Sequence, residues 1–306
     1  MGQLEDMNVF VRIVEAGGIG KAADQLGVAK SGISRRLMAL ETRLGAPLIN
    51  RTTRSSSLTT IGREYYVRAV KLIGDVSELD ALATSEGTSL EGPLRLAVPL
   101  SFGLSHLSPA IDIFAREHPG LTINIDFSDY QVDLVEQGVD LAIRIADLND
   151  SSLQARRLCP IRLLLCASPS YLEKHGIPQR PEDLRTHQVL GYNLGSGQTI
   201  RLIDGRGDEQ LIQTSTRMAA NNGDFLCDMA ISGHGIVVLP TFIAWQNLST
   251  RKLVPVLESY TIPALNAWAV YPKTRYLSQR VRRFIDFMAE RFGNKPYWDD
   301  YYCRKL

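Results

Sequence analysis

From residue 4 to 16 the apolar residues Met7, Phe10, Val11 and Val14 recur every three or four positions, the period of a helix with one buried face, and Gly17-Gly18 ends the run. A second, shorter helix is predicted over about 20–26, stopped by Gly27, which can take the left-handed backbone of a tight turn between helices. A third begins near Lys30. Ala23 then sits where the third helix crosses the second and leaves no room for a larger side chain, while Ile33 and Leu37 fill the angle between them. The spacing Ala23, Gly27, Ile33 is that of a helix-turn-helix. The polar stretch 50–59, held between Leu48-Ile49 and Leu58, reads as a small β-wing.

Thr59 can cap a helix over 60–83 that no proline interrupts. Within it Tyr65, Ala69, Leu72, Val76, Leu79 and Ala83 follow at spacings of four and three, the a/d rhythm of a coiled-coil seam, and these six are the expected dimerisation residues. Left in water, large side chains on such a stripe cost about 1.5–3 kcal/mol each, so the stripe wants either a second copy or the chain's own body. Residues 85–93, rich in Ser, Gly and Pro, read as a hinge.

Beyond Pro93, short apolar strands alternate with helices, the pattern of a mostly parallel sheet covered by helices. Strands are predicted over 94–98, 121–127 and 139–145, and helices over 102–117 and near 132–137. Residues 162–167 and 266–271 are expected as two strands crossing between lobes, with a closing helix over 278–291. The predicted plan is thus an N-terminal, mostly α winged helix-turn-helix over 1–62, a linker helix and hinge over 59–92, and an α/β two-lobed body. Lobe I takes 93–165 and 266–293, lobe II takes 166–265, and an aromatic tail over 294–306 either packs on the body or is disordered. Such a body has the plan of periplasmic binding proteins.

The apolar share of 44% and charged share of 22% fit a folded, soluble chain, and 306 residues allow two or three cores. A formal net charge of +1 hides an asymmetry: residues 1–63 hold nine Lys/Arg against five Asp/Glu, +4, which leaves −3 for the rest. Only the head is therefore suited to a polyanion. Its third helix carries Lys30, Ser31, Ser34, Arg35 and Arg36 near the end that such a motif inserts into the major groove of double-stranded DNA, and Arg51 and Arg54 on the wing can grip phosphates. Cys159, Cys166, Cys227 and Cys303 form no CxxC pair and are read as buried thiols, with no metal or cofactor expected. The first residues lack the pattern of a signal peptide and no stretch nears about 18 apolar residues, so a cytoplasmic protein without a membrane partner is expected.

The ordered string Ala22-Ala23, Leu26, Ser31, Ile33-Ser34-Arg35, Leu40-Glu41, Leu44-Gly45, Leu48-Ile49, Arg51-Thr52, Arg54, Leu58-Thr59 and Gly62 strongly resembles the LysR-type transcriptional regulators. The likeness continues through 92–96, 138–144, 167–172 and 233–240, to about Gly293. Ile49, Lys30, Ala29 and Gly32 depart from the residues common in that family, so base preference does not transfer. The resemblance implies dimerisation through the linker helix, commonly onward to tetramers, and a body that binds a small organic effector, with RNA polymerase as a further candidate partner. Ligands in open α/β lobes sit at the carboxyl ends of strands, against helix N-termini. Pro99, Ser101, Phe102 and Ser128 occupy such places in lobe I, and in similar regulators these positions line the cleft. Asn193 and Asn222 should face them from lobe II, and Arg144 can balance the carboxylate of an organic anion.

Two other classes share this body: enzymes and solute-binding proteins. The five histidines His106, His118, His175, His187 and His234 are scattered, and no GxSxG or HExxH motif occurs. A solute-binding protein predicts an export signal and no basic third helix.

Overall fold

Three helices open the chain: α1 (Gln3–Glu15), α2 (Ile19–Leu26) and α3 (Lys30–Leu44). In the computed structural model, which describes residues 2–51, 56–83, 90–127, 134, 137–147, 154–192, 197–272 and 277–300, Gly27 makes the turn between α2 and α3 at φ 64°. Phe10, Ile13, Ala22, Ala23, Ile33, Leu37 and Leu40 bury one another at the crossing. Strands β1 (Ile49–Arg51) and β2 (Ser56–Leu58) pair antiparallel as the wing, and its tip, with Arg54, lies outside the described residues. Glu41 ties the wing to α3 by accepting the backbone N–H groups of Leu48 and Ile49 at 2.9 and 3.2 Å.

The next helix, α4 (Thr60–Ala83), starts where the Thr59 hydroxyl accepts the Gly62 N–H at 2.8 Å and donates to the Pro47 carbonyl at 2.8 Å. Its expected seam divides. Tyr65 packs edge-on against Phe10, ring centroids 5.6 Å apart, and Ala69 is buried beside Val11 and Val70, so both serve the head's own core. This corrects their reading as dimerisation residues: α1 crosses α4 there and takes the face first. Leu72 and Leu79 remain 46% and 65% exposed, Val76 is half-buried, and the side chain of Ala83 lies outside the described residues. Other residues of α4 meet the body, with Val67 beneath Gly138, Tyr66 under Arg95 at 5.8 Å, and Gly74 beneath the Arg280 guanidinium.

Lobe I starts with β3 (Gly92–Val98), the short α5 (Leu100–Phe102), a π-helical turn (Gly103–Leu107), α6 (Ser108–Glu117), β4 (Leu121–Phe127), β5 (Leu141–Ala146) and β6 (Gln154–Ile161). Lobe II follows with β7 (Leu163–Ala167), α7 (Pro169–His175), a 3-10 turn (Pro181–Arg185), β8 (Val189–Tyr192), β9 (Gly197–Ile203), β10 (Glu209–Ser215), β11 (Ala219–Ala220), α8 (Gly223–Ile231), β12 (Ile236–Pro240), α9 (Thr241–Ser249) and β13 (Val254–Pro255). The chain returns to lobe I for β14 (Leu265–Tyr271) and α10 (Gln279–Phe292), with Ser278 as N-cap.

One five-stranded sheet has the order β4-β3-β5-β14-β6, the other β11-β8-β12-β7-β13. In each, three neighbouring strands are parallel, the fourth (β14 or β7) runs antiparallel to them, and the outermost (β6 or β13) pairs antiparallel with that fourth strand and so runs the same way as the three. The passage between lobes falls at Arg162, because β7 pairs wholly within the second sheet, and β14 lies wholly within the first. β6, a full edge strand, has no counterpart in the sequence reading, and most of the helix expected near 132–137 lies outside the described residues. α9 belongs to both cores: Phe242 and Trp245 face lobe I, whereas Ala244 and Leu248 face lobe II. Among the described residues no helix is long and apolar enough to cross a membrane.

Candidate functional site

On α3, Ile33, Leu37 and Leu40 point into the core. A helix turns about 100° per residue, so Ser31, Arg35 and Met38 come out on the far, solvent side, with Lys30 exposed at the start and Ser34 half-buried beside them. Ala29 provides no side-chain cap, which leaves the leading end of α3 open to an anion. Arg36 departs from expectation. It projects toward α1, where its guanidinium donates to Glu5 at 3.0 Å; the pair is exposed and adds at most about 1 kcal/mol. Met38, 47% exposed, shares the outward row although a reading by polarity passes over an apolar residue. Its signal is the spacing from Ser31 and Arg35, which is seven and three. The backbone of Arg51 pairs with Ser56 in the wing, its side chain lying outside the described residues.

In the body, Pro99 precedes α5 in extended conformation and sets Ser101 at the head of the helix, just past the carboxyl end of β3. Asn222 caps α8 from the other lobe: its Oδ1 accepts the Phe225 N–H at 2.9 Å, and its Nδ2 points at Ser101 Oγ 3.5 Å away, the outer limit of a hydrogen bond. Two residues 121 positions apart, one from each lobe, thus meet across the cleft. Phe102 is a correction. Fully enclosed among Phe242, Phe292, Trp298 and His106, it fills the core behind the cleft and has no surface to offer a ligand. Arg144 is half-buried on β5 opposite Trp268 of β14, two residues short of the strand end where a ligand would sit. Ser128 and Asn193 lie outside the described residues.

Behind Ser101 the chain takes its π-helical turn, a geometry often found beside functional sites. Gly103 is needed there because a Cβ would come within 2.8 Å of the Phe127 ring and 2.9 Å of Val98, at the ends of β4 and β3. His106 in the same turn is buried. Its Nε2 lies 3.1 Å from the Phe242 carbonyl, which only accepts, so that nitrogen carries the proton, and Nδ1 accepts from the Tyr297 hydroxyl at 2.6 Å. Burial lowers its pKa from 6.5 and the Asp224 charge pulls weakly the other way, which favours neutral imidazole.

Family comparison matches two separate segments of the chain. Residues 4–63 match the model of the bacterial regulatory helix-turn-helix protein, lysR family, and residues 87–293 match the LysR substrate binding domain. The HTH-type transcriptional regulator CrgA of Neisseria meningitidis serogroup C (strain 8013) is 36% identical over 294 residues, covering 95% of this chain and 97% of its own. The solved structure of CrgA, a LysR-type regulator from Neisseria meningitidis, is 34% identical with a TM-score of 0.61, covering 95% of this chain and 99% of its own. The full-length Vibrio cholerae virulence activator AphB is 27% identical with a TM-score of 0.59, covering 94% and 99%.

Proposed function

The chain belongs to the LysR-type transcriptional regulators, DNA-binding proteins with a ligand-binding body, and from that membership we propose how its own residues divide the work. The observation that carries the DNA half is the outward row Ser31, Arg35 and Met38 on α3, held rigid by the buried Ile33 and Leu37 behind it. Arginine donates to guanine O6 and N7, a hydroxyl reaches base or phosphate, and a methionine suits a thymine methyl. Lys30, Ser34, Arg51 and Arg54 fix the register by holding phosphates. Arg36 is left to its contact with α1.

A small organic molecule, modulating the protein's action on DNA, takes the place between Ser101 and Asn222. It replaces their long mutual contact with shorter ones and shifts the angle between lobes. A hydroxyl, an amide and helix N-termini together suit a carboxylate. The active species is a dimer joined through α4, whose exposed Ile61, Leu72 and Leu79 lie in line, eleven and seven residues apart. Two-fold symmetry then matches two half-sites, and tetramer formation and contact with RNA polymerase belong to the same reading.

Selection of bound duplexes from a random pool tests the DNA half. Arg35→Ala is expected to cost about 1–3 kcal/mol at one base position, and Arg54→Ala to weaken every site alike with a smaller salt slope. A purified protein that prefers no duplex to random competitor at moderate ionic strength, with or without added metabolites, overturns the reading.

A further inference from the structure

The segment Tyr297–Asp299 lies beyond the residues matched by either family model, yet it is deeply seated. Trp298 is 1% exposed, and its ring centroid lies 5.7 Å from Phe102, 4.4 Å from His106, 6.3 Å from Phe242 and 5.7 Å from Phe292. Phe102 and His106 stand behind the cleft on lobe I, whereas Phe242 opens the shared helix α9. Tyr297 repeats this two-sided contact, with its hydroxyl on His106 of lobe I at 2.6 Å and its ring 5.8 Å from Trp245 of α9. His106 closes the circuit through its bond to the Phe242 carbonyl. The buried Asp299 carboxylate lies 3.4 Å from Arg162, the residue at which the chain passes between lobes. Three consecutive side chains therefore touch lobe I, the shared helix and the crossover.

We infer that this tail is a latch that sets the angle between the lobes, and that Tyr297 and Trp298 are positioning residues of the cleft, acting on Ser101 through His106 and Phe102. The lever is short. Ser101 and Phe102 are adjacent in α5, so a ring that shifts when the latch loosens carries the Ser101 backbone with it. Asn222 is held by its own helix cap and does not follow. A cleft kept near its working width spares an incoming ligand the cost of selecting a rare conformer. The functional half of this inference rests on the cleft being the effector site; the mechanical half does not.

The test uses the full chain without ligand or DNA. Nitroxides at Glu117 on lobe I and Glu173 on lobe II, both exposed, report the distance distribution between lobes, and hydrogen exchange reports residues 99–107 and 241–249. Tyr297→Phe removes the hydroxyl but keeps the ring, and Trp298→Ala removes the plug. A broadened distribution is expected in both, with at least tenfold faster exchange in those two segments and unchanged exchange in the β9–β10 hairpin. Unaltered distances and exchange in folded variants overturn the latch. So does a loss of protection spread evenly over both lobes in Trp298→Ala while Tyr297→Phe behaves as wild type, because the tryptophan is then only core. Failure of the cleft reading shows separately, as Ser101→Ala and Asn222→Ala variants whose operator binding responds to a metabolite panel as wild type does.

Discussion

At the scale of single residues, the signature of the head has steric causes. Gly62 belongs to it because α4 begins hard against the wing, where a Cβ would come within 2.0 Å of the Leu48 carbonyl oxygen. Gly62→Ala must push the helix off the strand, and a loss of about 1–3 kcal/mol is expected in chemical denaturation followed by helix content. His106 gives a pH test. The fold keeps it neutral where the unfolded chain takes up a proton, so its contribution is complete above the unfolded value near 6.5 and is lost as pH falls through the lowered folded value. Stability should decline from pH 7 toward 5, less steeply in His106→Gln; identical slopes would show that the imidazole is not responsible. Asp299, whose pKa burial raises, works in the opposite sense at more acid pH, and comparison of the two chains removes its effect. The position of Ser101, between a strand end and a helix start, was legible because both show in the apolar pattern. Phe102 was misplaced because helix phase does not tell which neighbour faces the cleft when the helix widens into a π turn.

At the scale of elements, α4 shows what periodicity hides. A heptad says which residues share a stripe, not what covers it, and here α1 covers Tyr65 and Ala69 while Leu72 and Leu79 stay exposed. Leu72→Glu combined with Leu79→Glu should therefore yield monomers in sedimentation analysis with the melting temperature of the head nearly unchanged. Tyr65→Ala should instead lower that temperature and leave the oligomer intact. Ile61 escaped notice because it stands outside the four-three alternation, although three full turns bring it under Leu72. The edge strand β6 escaped for another reason. Its residues Gln154, Ala155, Arg156 and Arg157 are exposed, so half the strand lacks the alternation that marks a sheet, and its pairing with β14 comes from more than a hundred residues away.

At the scale of the whole molecule, the division into head, linker and two lobes was plain in the sequence, since each carries its own period and the hinge interrupts both. The tail was not, because two adjacent aromatic residues, Tyr297 and Trp298, show no periodicity and have no element to belong to until the surface that receives them is known. Buried thiols report how the body comes apart. Cys159 lies in the core of lobe I with its pKa pushed up to about 12, and Cys227, pushed up to about 11, lies with Cys166 in lobe II. At pH 8 in native protein all three should resist alkylation, read by peptide mass spectrometry, and in rising denaturant they should become reactive over one range. Reaction of Cys166 and Cys227 well before Cys159 would mean that the lobes melt separately. The expected synchrony follows from α9, which keeps one face in each core. Any attempt to build a chimaera by grafting a foreign distal lobe at Arg162 would import a helix whose inner face was shaped for another host; such grafts should succeed only when Phe242 and Trp245 travel with the recipient.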